Sequence, residues 1–262
     1  MRLAFFGDVV GRPGRRALAR VLPRIAAEEG VHFVVANCEN ASGGKGIDPE
    51  SAEELYDAGI DVLTTGNHVW RNPAIVPYMR DNGRLLRPQN FARGVPGQGW
   101  TVRPAHDEGT AVGVLNLIWR VFMEPSECPF RAAQEAVELI RAHTAVIVVD
   151  MHGEATSEKV GMGRFLDGQV SAVVGSHTHV QTADEAVLPG GTAYLTDAGM
   201  CGPEDSILGM KPEPVLRRFL TQMPARFEVA GGPVVVQGVL IDVDEMNGRA
   251  VAIRRIRERV LL

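Results

Sequence analysis

Short apolar runs, each stopped by a polar or glycine-bearing turn, set the pattern of the first eighty residues. "RLAFFGD" (2–8) reads as a β-strand ending at Gly7-Asp8. Ala17, Leu18, Val21, Leu22 and Ile25 then recur at helical spacing, with Pro13 in the first turn and Pro23 placed to kink the helix. "HFVVANCEN" (32–40) predicts a second strand. Asp48-Pro49 opens the next helix, because an Asp side chain accepts hydrogen bonds from the free amides of a first turn. "DVLTTGNH" (61–68) is a third strand, followed by a short helix near Ala74 to Arg80.

Farther on, "GQGWTVRP" (97–104) and "GTAVGVLNLIW" (109–119) predict strands around a turn at "HDEGT" (106–110), and a helix runs from Phe130 to His143. Two apolar strands ending in histidine, "TAVIVVDMHGE" (144–154) and "VSAVVGSHTH" (170–179), flank a helical "SEKVGMGRFLDG" (157–168). "GTAYLTDAG" (191–199) is a strand, and a helix covers Pro214 to Gln222. Residues 200–210, "MCGPEDSILGM", have no periodicity and read as a long loop framing a pocket or a subunit contact. The stretch from 234 to 256 alternates around Asn247-Gly248, a strong hairpin signal. Strand–helix units favour parallel pairing and the hairpin adds antiparallel strands. The expected architecture is α/β: a four-layer sandwich of two packed mixed β-sheets flanked by helices, one domain over 1–262, with no internal repeat.

The chemistry gathers where strands end. The apolar runs deliver Asp8, then Glu39 and Asn40, then Asn67 and His68, then His152, then His177 and His179. In open α/β sheets ligands bind outside the carboxyl ends of the strands. Each residue alone has an ordinary explanation as a turn, a cap or a surface group. Five strand ends that all carry acids, amides or imidazoles point jointly to a metal site. If "HTH" stays extended, both imidazoles face one side, which suits one shared ion or one ion each. Seven residues (Asp8, Glu39, Asn40, Asn67, His152, His177 and His179) are too many for one four-coordinate ion and suit two. Mixed oxygen and imidazole donors favour Fe, Mn, Co or Zn over Mg or Ca. His32, His106 and His143 are expected in solvent or capping roles.

Bulk properties narrow the class. The 262 residues carry a net charge of −5, which disfavours a broad nucleic-acid-binding face. No stretch has the length of a membrane span, and "MRLAFFGDVVG" does not read as a signal peptide. Cys38, Cys128 and Cys201 are odd in number and form no C-x-x-C pair, so a reducing cytoplasm is expected. "GDVVGRPGR" lacks the G-x-G-x-x-G spacing, "SGGKGID" is no P-loop, and no G-x-S-x-G elbow occurs.

"GD" at 7–8, "GNH" at 66–68, the histidine of "DMHGE" and "GSHTH" at 175–179 together resemble the calcineurin-like metallophosphoesterase motif series. Two departures matter: the usual histidine two residues after the Asp is Val10 here, and Glu39 stands for the usual bridging Asp. The variant series resembles the YmdB-like branch across nearly the whole chain, including "NCENASGGKGI", "VVDMHGEATSEK" and "TDAGMCGPEDSILGM". The resemblance implies a binuclear site, commonly of iron, acting on phosphate diesters such as RNA-derived 2′,3′-cyclic nucleotides. Asp8, Glu39, Asn40 and His179 would hold one ion. Glu39, Asn67, His152 and His177 would hold the other, and His68 would be the acid. Asn40 would take the place left by the missing histidine.

Phosphoryl chemistry suits this set. Two ions roughly 3.5–4 Å apart clamp the attacking and leaving oxygens, and a bridging carboxylate spans them. His68 lies next to ligand Asn67, and an imidazole pKa suits a proton donor near neutral pH. Arg12, Lys45 and Arg71 are candidate phosphate contacts, and Asp150 and Glu154, which flank His152, are candidate partners orienting a ligand imidazole. Trp70, Phe91 and Trp119 are more simply packing residues than base-stacking ones. The leading expectation is a cytoplasmic metal-dependent phosphodiesterase with a small phosphate-ester substrate and no membrane; a homo-oligomer is left open. The alternatives are a phosphomonoesterase or nuclease at the same site, or a low-turnover metal- and nucleotide-binding regulator.

Overall fold

Alternation along strand β1 (Arg2–Phe6) generates the layers. Leu3 and Phe5 enter one buried cluster, Ala4 and Phe6 another, as expected when successive side chains point to opposite faces. The computed structural model describes residues 1–106 and 109–262, so the middle of the expected 106–110 turn lies outside the described residues. β2 (Asp8–Val9) continues beyond Gly7, and helix α1 (Gly11–Glu29) buries Ala17, Leu18, Val21, Leu22 and Ile25 while keeping Pro23 inside. β3 (Phe33–Asn37) precedes α2 (Pro49–Asp57), where Asp48 accepts from the Ser51 amide as the cap chemistry predicts. β4 (Val62–Thr64) leads through a 3-10 turn at Val69–Arg71 to α3 (Ile75–Asp81).

β5 (Trp100–Pro104), β6 (Ala111–Ile118), α4 (Pro129–Arg141), β7 (Val146–His152), α5 (Thr156–Phe165) and β8 (Ala172–Ser176) form the middle of the chain. β9 (Ala186–Val187), β10 (Ala193–Leu195), β11 (Met200–Pro203), α6 (Pro212–Thr221), β12 (Val234–Val243) and β13 (Ala250–Val260) complete it.

The first sheet contains β1, β2, β3, β4, β11, β12 and β13, with β1 parallel to β3 and antiparallel to β12. β12 is its spine: β13 runs along one edge, and β11 and β1 share the other in line. The second sheet has the order β5-β6-β7-β8-β10-β9, parallel from β6 to β10 with antiparallel strands at both ends. Leu3, Phe5, Val35 and Ile241 of the first sheet meet Val114, Val148, Val174 and Leu195 of the second in one dry core. The outer face of the first sheet packs on α1, α2 and α3 through Leu18, Leu22, Leu55 and Ile75. The outer face of the second packs on α4 and α5 through Val137, Ile140 and Met162. This is the four-layer α/β sandwich expected from the sequence.

Three local expectations change. Asp8 does not end β1; it begins β2, after a break at Gly7, where an added Cβ would lie 2.1 Å from the Gly199 carbonyl oxygen. Residues 200–203 are a strand pairing with β2 and β12, because the interior is already lined by apolar neighbours and even "MCGP" gains by pairing its backbone there. The rest of 200–210 does frame the site, through the Leu208 carbonyl. Finally, "HTH" is not extended. β8 stops at Ser176, and His177 and His179 take positive φ values of 102° and 63°. Among the described residues no helix is long and apolar enough to cross a membrane.

Candidate metal centre

Asp8, Glu39, Asn40, Asn67, His68, His152, His177 and His179 converge where strands of both sheets end. Asp8, Glu39 and His152 are almost wholly buried, and His68 is about one-fifth exposed. One group forms around His152. Its Nε2 lies 3.3 Å from Glu39 Oε1, 3.2 Å from Asn67 Oδ1 and 3.1 Å from His177 Nδ1. Ligand atoms of Glu39, His152 and His177 all lie within 4.8 Å of one another. A second group forms around Asn40, whose Nδ2 is 3.1 Å from His179 Nε2, 3.4 Å from Asp8 Oδ1 and 3.4 Å from Glu39 Oε1. His179 Nε2 is 3.6 Å from Asp8 Oδ1. Glu39 therefore touches both groups.

Backbone and neighbouring side chains fix these atoms. Glu39 Oε2 accepts from the His68 amide at 2.9 Å, and Asp8 Oδ2 from the His177 amide at 2.9 Å. His179 Nδ1 meets the Leu208 carbonyl at 3.0 Å, so Nε2 faces the cluster. His177 Nε2 lies 3.2 Å from Glu154 Oε2, leaving Nδ1 inward. Glu154 thus partners the His177 imidazole. Under His152 lies a chain of polar groups. Nδ1 is 2.9 Å from Ser176 Oγ, and that hydroxyl donates to Asp150 Oδ1 at 2.6 Å. Asn37 Nδ2 and Thr64 Oγ1 donate to Asp150 Oδ2. A ring nitrogen held in this way fixes tautomer and orientation, as partners of metal-bound imidazoles do. Gly66 leaves the space: a Cβ there would lie 2.2 Å from His152 Nε2 and 2.4 Å from Glu39 Oε2.

Electrostatics split the histidines. Burial opposes charge on His152, but the Glu39 carboxylate outweighs it and raises the imidazole to about 9. Burial, then the positive His152, pushes His177 down to about 3. Burial disfavours charge on Asp8 and Glu39 too, yet His179 holds Asp8 below its ordinary range, and His152 and His68 hold Glu39 well below. Burial lifts Asp150 to about 6. Two buried carboxylates side by side, faced by imidazole nitrogens at 3.1 to 3.6 Å, make a donor set that calls for cationic compensation. Among these residues, Glu39, His152 and His177 form a set that fits a metal ion.

His68 sits beside the cluster. Its Nδ1 is 2.8 Å from Asn40 Oδ1 and 3.1 Å from Glu39 Oε1. Lys45 and Arg71 are exposed on adjoining loops, and a Cβ at Gly46 would lie 3.1 Å from Arg71 Cβ and 3.6 Å from the His68 carbonyl oxygen. Arg12 instead lines a cavity of about 360 Å³ with Arg15, Ser42 and Asp48, none of them in the cluster. Trp119 is buried against Phe130, and Trp70 packs near Phe91. Among the other histidines, His32 accepts from the Arg2 amide, His106 pairs with Asp61 and His143 is exposed. The sequence reading missed Asn37, Thr64 and Ser176. Their signal is the polar residue that closes an otherwise apolar strand, as in "FVVAN" and "AVVGS".

The fold is that of the calcineurin-like phosphoesterases: a Bacillus subtilis protein of that description, YfkN, superposes with a TM-score of 0.56 at 10% identity, covering 98% of this chain and 90% of that one. A hypothetical protein from Thermus thermophilus superposes far more closely, with a TM-score of 0.92 at 38% identity over 99% of both chains. The YmdB-like protein family matches residues 4–256, and the chain belongs to that family. Its relatives include the 2′,3′-cyclic-nucleotide 2′-phosphodiesterase of Bacillus subtilis (strain 168), 45% identical over 256 residues, which span 98% of this chain and 96% of the relative.

Proposed function

We propose that this protein is a cytoplasmic phosphodiesterase that hydrolyses small phosphate diesters, 2′,3′-cyclic nucleotides first among them, with two transition-metal ions. The observation that carries the reading is the junction at Glu39, one buried carboxylate in contact with both the His152 group and Asn40 of the Asp8–His179 group. The similarity to the Bacillus subtilis enzyme supports the substrate class. Iron is the first candidate, then manganese or zinc, in line with mixed carboxylate, amide and imidazole donors. Asp8, Glu39, Asn40 and His179 would hold one ion; Glu39, Asn67, His152 and His177 the other. Bound there, the ions supply Lewis acidity, lowering the pKa of a water and offsetting the phosphate charge.

The chain's own residues supply the rest. Glu39 Oε1 fixes the Nδ1–H of His68, so Nε2 carries the proton to the ribose oxygen that leaves. Lys45 and Arg71, both exposed and adjoining Gly46, would attract an anionic substrate. All three cysteines are free thiols, as suits a reducing compartment. The test is a panel of 2′,3′-cyclic nucleotides, linear diesters and monoesters, assayed under reducing conditions after loading with Fe(II), Mn(II) or Zn(II). Fastest turnover of the cyclic diesters is expected. Preference for monoesters would make the protein a phosphatase, and binding without turnover a regulator.

A further inference from the structure

The turn that carries His177 and His179 puts two non-glycine residues in the left-handed region, an arrangement that persists only when its surroundings impose it. Its surroundings here are an ion pair outside the metal cluster. Lys159, on α5, is 1% exposed, and its Nζ donates to the Ser176 carbonyl at 2.7 Å and to Asp197 Oδ2 at 2.7 Å. The same Asp197 oxygen accepts from the Thr178 amide at 3.0 Å. Asp197 is itself fixed: Oδ1 accepts from Gly199 N at 2.9 Å, its amide donates to Thr182 Oγ1 at 2.9 Å, and its carbonyl accepts from Thr182 N at 3.1 Å. Gly175 allows this closeness, since a Cβ there would fall 1.7 Å from the Thr196 carbonyl oxygen and 3.0 Å from Lys159 Cδ. The peptide groups on both sides of His177 are thereby gripped by one buried pair, while the His177 amide reaches Asp8.

We propose that Lys159 and Asp197 are positioning residues that clamp the 176–178 backbone and so aim the His177 and His179 imidazoles at the metal centre. The proposal rests on reading the cluster as a metal site. Neither residue belongs to either ligand group. A pair serving only to stabilise the fold would be dispensable once both charges were removed together, because replacing a whole buried ion pair is often tolerated while stranding one charge is not. A clamp is not dispensable in that way, since the strained turn loses its anchor whatever the net charge.

The experiment titrates Co(II) into the full chain, wild type and the double variant Lys159→Met/Asp197→Asn, reading affinity and the visible absorption bands. The carboxamide introduced by Asp197→Asn can still accept from the Gly199 amide, but the turn is left without the lysine. The double variant is expected to bind Co(II) about 10- to 100-fold more weakly, with altered bands, and Lys159→Arg to recover most of the loss. Wild-type affinity and bands in the double variant overturn the clamp, whatever its melting temperature. If the double variant does not fold, Thr182→Val loosens Asp197 with both charges kept; a several-fold weaker, spectrally shifted complex is expected, and an unchanged one overturns the clamp. A wild-type chain that takes up no Co(II) would sink the metal-site reading itself, a result distinct from equal uptake by wild type and variants.

Discussion

Stripping the protein of metal should reverse the sign of its pH dependence. In the metal-free chain His152 is buried against Glu39, and its pKa stands at about 9 against an ordinary 6.5. A group whose folded pKa is raised stabilises the fold fully below the unfolded value and loses that contribution as pH rises through the folded one. The window is therefore pH 6.5 to 9, and the shift corresponds to roughly 3 kcal/mol. For a chain of this size that amounts to a fall in melting temperature of about 6–12 °C across the window. His179, also raised, adds in the same direction. Asp150 at about 6 and His177 at about 3 finish titrating below the window. With metal the trend inverts, because a ligand imidazole must give up its proton. At pH 7 that deprotonation weakens binding about 50-fold relative to pH 9. Thermal melts of chelator-treated and metal-loaded protein at half-unit pH steps check both limbs. A metal-free melting temperature that is flat or rising between pH 6.5 and 9 would refute the Glu39–His152 electrostatics described above.

Other variants probe single contacts. His68→Ala should keep its metal content and lose about 10²- to 10⁴-fold in turnover, with the smallest loss on an ester whose leaving group needs no proton, as steady-state kinetics on two leaving groups would reveal. Gly66→Ala drives a methyl group into His152 Nε2 and Glu39 Oε2, and elemental analysis should find it depleted of metal while circular dichroism finds the fold intact. Among the thiols, Cys128 is expected to react first with a disulfide reagent at pH 8. Hydrogen bonds from the Arg131 and Phe130 amides lower its pKa, whereas burial lifts Cys201 to about 12 and Cys38 well above its ordinary value. Rapid labelling of Cys38 or Cys201 in the native protein would contradict their burial.

The layers were legible because their physics is local. Period-2 and period-3.6 patterns such as Leu3/Phe5 against Ala4/Phe6, or Leu18/Leu22/Ile25, depend on which face of one element meets the core. Strand β11 was not legible, since "MCGP" has no alternation and becomes a strand only because β2 and β12 offer it backbone partners. The candidate ligands could be read from their positions at strand ends, but their geometry could not. The extended "HTH" expected from strand periodicity gives way to a turn with positive φ at both histidines. The pair proposed to hold that turn, Lys159 and Asp197, lies 17 or more residues away from it in sequence. Asp150 was legible as a candidate partner, but Ser176, which links it to His152, takes that place only once β7 and β8 pair in register.

The central claim is that one carboxylate, Glu39, joins two metal ions in a site that cleaves phosphate diesters. The most direct test adds metal stepwise to metal-free protein, following bound ions per chain and 2′,3′-cyclic nucleotide hydrolysis in the same samples, for wild type and Glu39→Gln. Wild-type activity should climb until two equivalents are bound, and Glu39→Gln should lose both metal and turnover. Full activity at one equivalent, or a Glu39→Gln protein that keeps two ions and hydrolyses at the wild-type rate, would contradict it.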